Sequence, residues 1–167
     1  MKTIEIIGDN YLGKYTSTRI ACRGLVIRDN KILFSYAKKA NVYMLPGGGL
    51  EENETDIMCC IREVAEETGY IVKCDKCELE IVEYYGDNRF INKYFICEIT
   101  GKTQQKLTKI ELFEELEPRW LGIYEALEIF KNTYNYEGAK EENRGMYQRE
   151  YIALTYLLEL NKMIVNK

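Results

Sequence analysis

The chain has 167 residues, 46% hydrophobic and 30% charged, which fits one soluble globular domain over residues 1–167. A net charge of −4 and a pI near 5.2 exclude a nucleic-acid-coating role, which needs a basic stripe. The absence of histidine excludes Ser-His-Asp and Cys-His nucleophiles, histidine zinc centres and phosphohistidine chemistry, so acid–base work falls to carboxylates, tyrosine, lysine or metal-bound water.

Residues 1–10 carry Glu5 and Asp9 and no uninterrupted apolar run. No secretory signal is visible there and no stretch approaches a membrane span, so a cytoplasmic protein without membrane contact is expected. Residues 18–28 and 31–37 read as strands joined by Asp29-Asn30, a hairpin signal. After the glycine turn Gly47-Gly48-Gly49, residues 55–68 have helical periodicity: Ile57, Ile61, Val64 and Thr68 share one face, with Cys60 and Ala65 at its margins. Arg62, Glu63, Glu66 and Glu67 project from the other side. Asn53 or Thr55 can cap this helix, and Gly69 supplies the left-handed residue that ends it. Residues 71–85 and 89–100 form a second strand pair around Gly86-Asp87-Asn88, followed by a short strand over 119–123 and a short helix over 124–130. Tyr147, Tyr151, Leu154 and Leu158 predict a closing helix over 146–162. No repeat or linker divides the chain, and strands on both sides of a helix indicate an α+β or α/β sandwich.

The segment over residues 48–70 carries the chemistry. Glu63, Glu66 and Glu67 are neighbours on a helix surface and repel one another. Glu66 and Glu67 also lie in the last turns, where the helix dipole disfavours negative charge by about 0.3–1 kcal/mol each. A sequence shaped for stability alone would put Lys or Arg there. A hard divalent cation, which prefers oxygen ligands, removes the conflict.

Gly48, Glu54, Arg62, Glu63, Glu66, Glu67 and Gly69, with Val64 and Tyr70, resemble the signature box of the Nudix hydrolases: Gly, five residues, Glu, seven residues, then Arg-Glu-apolar-x-Glu-Glu-x-Gly-apolar. Only Tyr70, where an aliphatic residue is usual, departs slightly. Tyr43-Met44-Leu45-Pro46-Gly47 resembles the family's approach to the box, and a weaker likeness covers roughly residues 18–130. The resemblance implies an αβα sandwich with a mixed sheet and a hydrolase of nucleoside diphosphate-linked compounds using Mg2+ or Mn2+. It implies metal ligation by the Gly47 carbonyl, Glu63, Glu66 and Glu67. It also implies catalytic roles for Glu63, as general base, and Glu67, while Arg62, counted with them, pairs with Glu54 to pin the loop. A further Glu serves some members as base or ligand; Glu111, Glu114, Glu115 and Glu117 are candidates among which the sequence does not choose.

Specificity lies outside the box. Tyr36, Tyr43, Tyr84, Tyr85 and Tyr94 sit on or near strands, where one or two could stack a nucleobase. The leading expectation is a small-molecule nucleotide substrate, a nucleoside triphosphate or a modified one. ADP-ribose or another nucleotide sugar is the alternative, and a nucleotide-sensing module the non-enzyme reading. No nucleic-acid partner is expected, and a homodimer stays open. The cysteines, Cys22, Cys59, Cys60, Cys74, Cys77 and Cys97, are expected to be reduced, inert, small apolar residues. Cys74 and Cys77 have half of a zinc spacing, with no second pair to complete it.

Overall fold

The computed structural model describes residues 1–132 and 141–165, with the side chains of the last helix described over 145–162. β2 (Ser17–Arg28) turns into β3 (Lys31–Ala37) through Asp29 and Asn30, whose φ values of 51° and 59° are the left-handed pair that a two-residue hairpin requires. The two strands pair only at Ile27↔Ile32 and Arg28↔Lys31 and then splay apart. β2 goes on to pair in parallel with β8 (Asn88–Lys102), from Ser17↔Asn88 to Val26↔Cys97. β3 is flanked by β4 (Val42–Met44) and β9 (Leu116–Gly122), both antiparallel to it. The second hairpin joins β7 (Cys77–Tyr85) to β8 through Gly86, at φ 57°, and Asp87.

Besides β4, two strands carry no clear signal in the sequence. β1 (Lys2–Ile7) pairs in parallel with β7, and β5 (Gly47–Gly49) lies antiparallel to β2, with Gly47 opposite Arg23. The strand expected over 71–85 is divided: β6 (Tyr70–Lys73) pairs with the far end of β8, the chain leaves the sheet at Cys74, and β7 resumes at Cys77. The result is the expected mixed sheet with helices on both faces.

Period-two alternation distributes the core. On β2, Cys22 and Val26 face α1 (Asp56–Thr68), whereas Leu25 faces the opposite layer. On β3, Leu33 joins the α1 side, and Ile32 and Phe34 join the other. That other layer is built by α3 (Ile123–Lys131) and α4 (Glu141–Val165), which bury Phe130, Tyr147, Leu154, Leu157 and Leu158. Among the described residues, no helix is long and apolar enough to cross a membrane.

Candidate active site

α1 starts where Thr55, at φ −83° and ψ 157°, accepts a hydrogen bond from the Met58 N–H at 3.2 Å. It ends at Gly69, at φ 72°, whose N–H donates to the Ala65 carbonyl. The last turn carries no basic residue. Its carbonyls are satisfied instead by the chain leaving β8: Lys106 N–H donates to the Glu66 carbonyl and the Gln105 side chain to that of Glu67.

Arg62 is the internal counter-ion of the box. Its Nε and Nη2 donate to Glu54 at 2.8 and 3.0 Å, the predicted pairing. Nη1 reaches Glu63 at 2.8 Å and Glu66 at 3.2 Å, and Nη2 also donates to the Gly49 carbonyl at 3.1 Å. Its fork of donors is thus spent on protein oxygens, tying Glu54, Glu63, Glu66 and the Gly49 carbonyl together. The carboxylate repulsion read from the sequence is therefore partly neutralised within the protein.

Glu63 lies against Gly48, where a Cβ would sit 2.5 to 2.6 Å from the carboxyl group; only glycine admits this approach. Burial raises the Glu63 pKa, Arg62 opposes the rise, and the nearby charges of Glu66 and Glu111 add to it. Of these influences on Glu63, that of Glu111 is the smallest. Glu111 sits in the short helix α2 (Lys109–Phe113), with its carboxylate accepting from Thr108 N–H at 2.7 Å. Glu115 pairs with Lys38 and Lys39, and Glu117 with Arg119.

Glu67 corrects the expectation that all the box charges lie on the outer face, being only 6% exposed. α1 buries Cys59, Cys60, Val64, Glu67 and Thr68, so its inner face extends round to this carboxylate. Glu67 Oε2 accepts from Ser35 Oγ at 2.6 Å and Gly47 N–H at 3.0 Å. Burial nevertheless pushes its pKa up to about 7.

On the other face of β2, Arg19, Ala21 and Arg23 line a pocket of about 250 Å³ with Asn92, Tyr85 and Arg149. Arg23 Nη1 donates to the Leu45 carbonyl at 3.2 Å and reaches that of Gly47 at 3.5 Å, so β5 separates the box from this pocket. Behind the pocket is a buried ionic network. Arg149 bonds Glu83 at 2.8 Å and Glu150 at 3.1 Å, Asn92 donates to Glu83 at 2.8 Å, and Tyr94 donates to Glu150 at 3.2 Å. Leu45 N–H donates to Glu150 at 3.0 Å, linking α4 to the glycine turn. The sequence reading did not find Arg19, Arg23, Ser35, Glu83, Arg149 or Glu150. A signal existed for Glu150, which falls on the apolar stripe of Tyr147, Leu154 and Leu158, where an unpaired charge does not belong.

Of the candidate tyrosines, only Tyr85 lines this pocket. Tyr94 is fully buried in the network, and Tyr84 faces Glu5, Tyr11 and Tyr15. Tyr36 and Tyr43 stack on each other at 4.4 Å with Arg119 over Tyr36 at 3.8 Å. A larger cavity, about 850 Å³, is lined by residues around Cys74 and Cys97 and by none of the box carboxylates.

Set against known proteins, the chain matches the NUDIX domain over residues 18–148. It is 35% identical over 71 residues to the Bacillus subtilis protein YjhB, provisionally named an ADP-ribose pyrophosphatase, covering 41% of this chain and 34% of that one. It is 30% identical over 100 residues to the m7GpppN-mRNA hydrolase of Saccharomyces cerevisiae, covering 51% of this chain and 9% of the yeast protein. The chain therefore corresponds to a minor part of each relative's length. A NUDIX hydrolase from Nitrosomonas europaea has the same fold, with a TM-score of 0.58 at 18% identity over 81% of this chain and 89% of that structure. A helix of paired carboxylates behind a glycine strand, on a mixed sheet covered by helices, defines the class. The chain belongs to the Nudix hydrolase family.

Proposed function

We propose that this chain is a divalent-metal-dependent hydrolase of phosphoanhydride bonds in nucleoside diphosphate-linked small molecules, with a nucleoside triphosphate, ordinary or modified, as the leading substrate. The observation that carries this reading is the meeting, across β5, of an oxygen-rich box and an arginine-lined pocket. The donor set suits Mg2+ or Mn2+, since the Glu63, Glu66 and Glu67 carboxylates and the Gly47 carbonyl are all hard oxygen ligands. Ser35 and Gly47 both bond Oε2 of Glu67, which leaves its Oε1 for a cation. When bound, the cation neutralises phosphate oxygens and acidifies a water molecule.

The chain's own residues do the rest. Arg19 and Arg23, on one face of β2, attract and orient phosphate oxygens. Glu63, raised by burial, takes the proton of the attacking water, and its neighbour Glu111 supports it as the further carboxylate. Arg62 and Glu54 keep the glycine turn against the helix. The pocket, below the roughly 300–1,000 Å³ of a drug-sized site, suits one base or sugar ring rather than a polynucleotide.

A panel of nucleotides with magnesium, resolved by chromatography, tests the reading. A nucleoside triphosphate should yield the monophosphate and pyrophosphate, and Arg23→Ala should lower kcat/KM at least tenfold. AMP plus a sugar phosphate would favour the nucleotide-sugar alternative, to which the likeness to YjhB gives some weight. Binding without product would favour a sensor, and no turnover of any phosphoanhydride would overturn the enzyme reading.

A further inference from the structure

Cys60 on α1, Cys74 just beyond β6 and Cys97 on β8 bring their sulfurs within 4.8 Å of one another. These thiols come from three separate segments, and two of them are buried. The Cys60 and Cys97 sulfurs are 3.7 Å apart. Tetrahedral zinc–thiolate bonds of about 2.3 Å put neighbouring sulfurs about 3.8 Å apart, whereas a disulfide needs about 2.0 Å. The Cys60–Cys97 separation thus fits two thiolates on one cation, and the Cys74 sulfur lies within 4.8 Å of both. We propose that Cys60, Cys74 and Cys97 form a zinc site, separate from the carboxylate box, with a fourth position open to solvent.

Two further observations support it. Gly24, beneath the cluster, makes the room: a Cβ there would lie 3.0 Å from the Cys97 sulfur, 3.4 Å from that of Cys60 and 2.7 Å from Val64. The cavity of about 850 Å³ opens on Cys74 and Cys97, giving an ion an entry path and a place for a fourth ligand, water or a small thiol. Binding releases the thiol protons to solvent. The ion would fasten the chain leaving β6 to α1 one turn ahead of Glu63. Sequence spacing hid the site, because Cys74 finds its partners in Cys60 and Cys97, not in Cys77, which bonds the Leu79 carbonyl.

The test uses the reduced 167-residue chain with Zn2+ or Co2+ in excess Mg2+, which occupies the oxygen site but competes poorly for thiolates. The expected result is one zinc retained per chain after gel filtration, and a thiolate-to-cobalt charge-transfer band in the near ultraviolet. Cys77→Ser and Glu66→Gln should keep both. Cys74→Ser, at the half-exposed position least able to disturb the core, should lose the band and weaken zinc binding about 100-fold, and Cys97→Ser should do the same. Absence of the band and of retained zinc in the wild-type chain would overturn the proposal, as would a band that survives unchanged in both variants.

Discussion

Glu67 and Glu54 are held by the same loop and helix, yet their linkage to pH has opposite sign. Burial raises Glu67 from 4.5 to about 7, against the pull of Ser35 and the Gly47 N–H, so the metal-free fold binds a proton that the unfolded chain gives up. Its stabilising contribution is complete below the unfolded value and is lost as pH rises from 4.5 to about 7. Glu54 is lowered by its hydrogen bonds from Arg62, so its contribution is present above the unfolded value and is lost as pH falls. In EDTA, Glu67→Gln should remove the first dependence. The wild type should lose roughly 3 kcal/mol relative to this variant between those two pH values, read from denaturant melts. Parallel stability profiles would refute the buried, proton-binding state of Glu67. Glu54→Gln should cost about 1–2 kcal/mol at neutral pH, because it weakens charge-assisted bonds to a half-buried guanidinium. Glu67→Gln should also abolish turnover, whereas Glu54→Gln should lower it only as far as the loop loosens.

At the scale of the element, α1 combines a good start with a charged end. Thr55→Ala removes its cap and should cost about 1 kcal/mol, equally with and without magnesium. Glu66→Gln should instead leave the metal-free melting point unchanged or slightly higher and shrink the magnesium-induced rise. In the wild type that rise corresponds to about 2.7 kcal/mol at a hundredfold excess over Kd. A full magnesium shift in Glu66→Gln would remove Glu66 from the metal ligands. This helix was legible from its periodicity, its cap and Gly69, and so were both hairpins, because their turns need the left-handed conformations that Asp29, Asn30 and Gly86 adopt. The missed elements lacked such local marks. β5 consists of three glycines and exists only because it pairs with Ala21, Cys22 and Arg23, while β1 is fixed by a partner far along the chain in β7. The divided strand at Cys74 follows from its pairing with β8, which no local pattern announces.

Across the whole molecule, the carboxylates of the box were legible because one helix carries them, and the arginine side of the site was not. Arg149 meets Glu83 across 66 positions of sequence, and Glu150 reaches Leu45 across 105, so their pairing depends on the finished fold. This network is the connection between α4 and the glycine turn. It cannot be trimmed from one side without cost: Arg149→Met leaves Glu83 and Glu150 buried without their main counter-ion. Breaking a buried pair in this way costs about 3–5 kcal/mol. For a chain of this size that corresponds to a fall in Tm of roughly 6–20 °C. Arg149→Met combined with Glu83→Leu removes one of the stranded carboxylates and should melt higher than Arg149→Met alone, although it carries one more substitution. Thermal melts of the wild type and the two variants at pH 7 measure this. If the double variant melted at or below the single one, Glu83 would not be the charge that Arg149 holds in place.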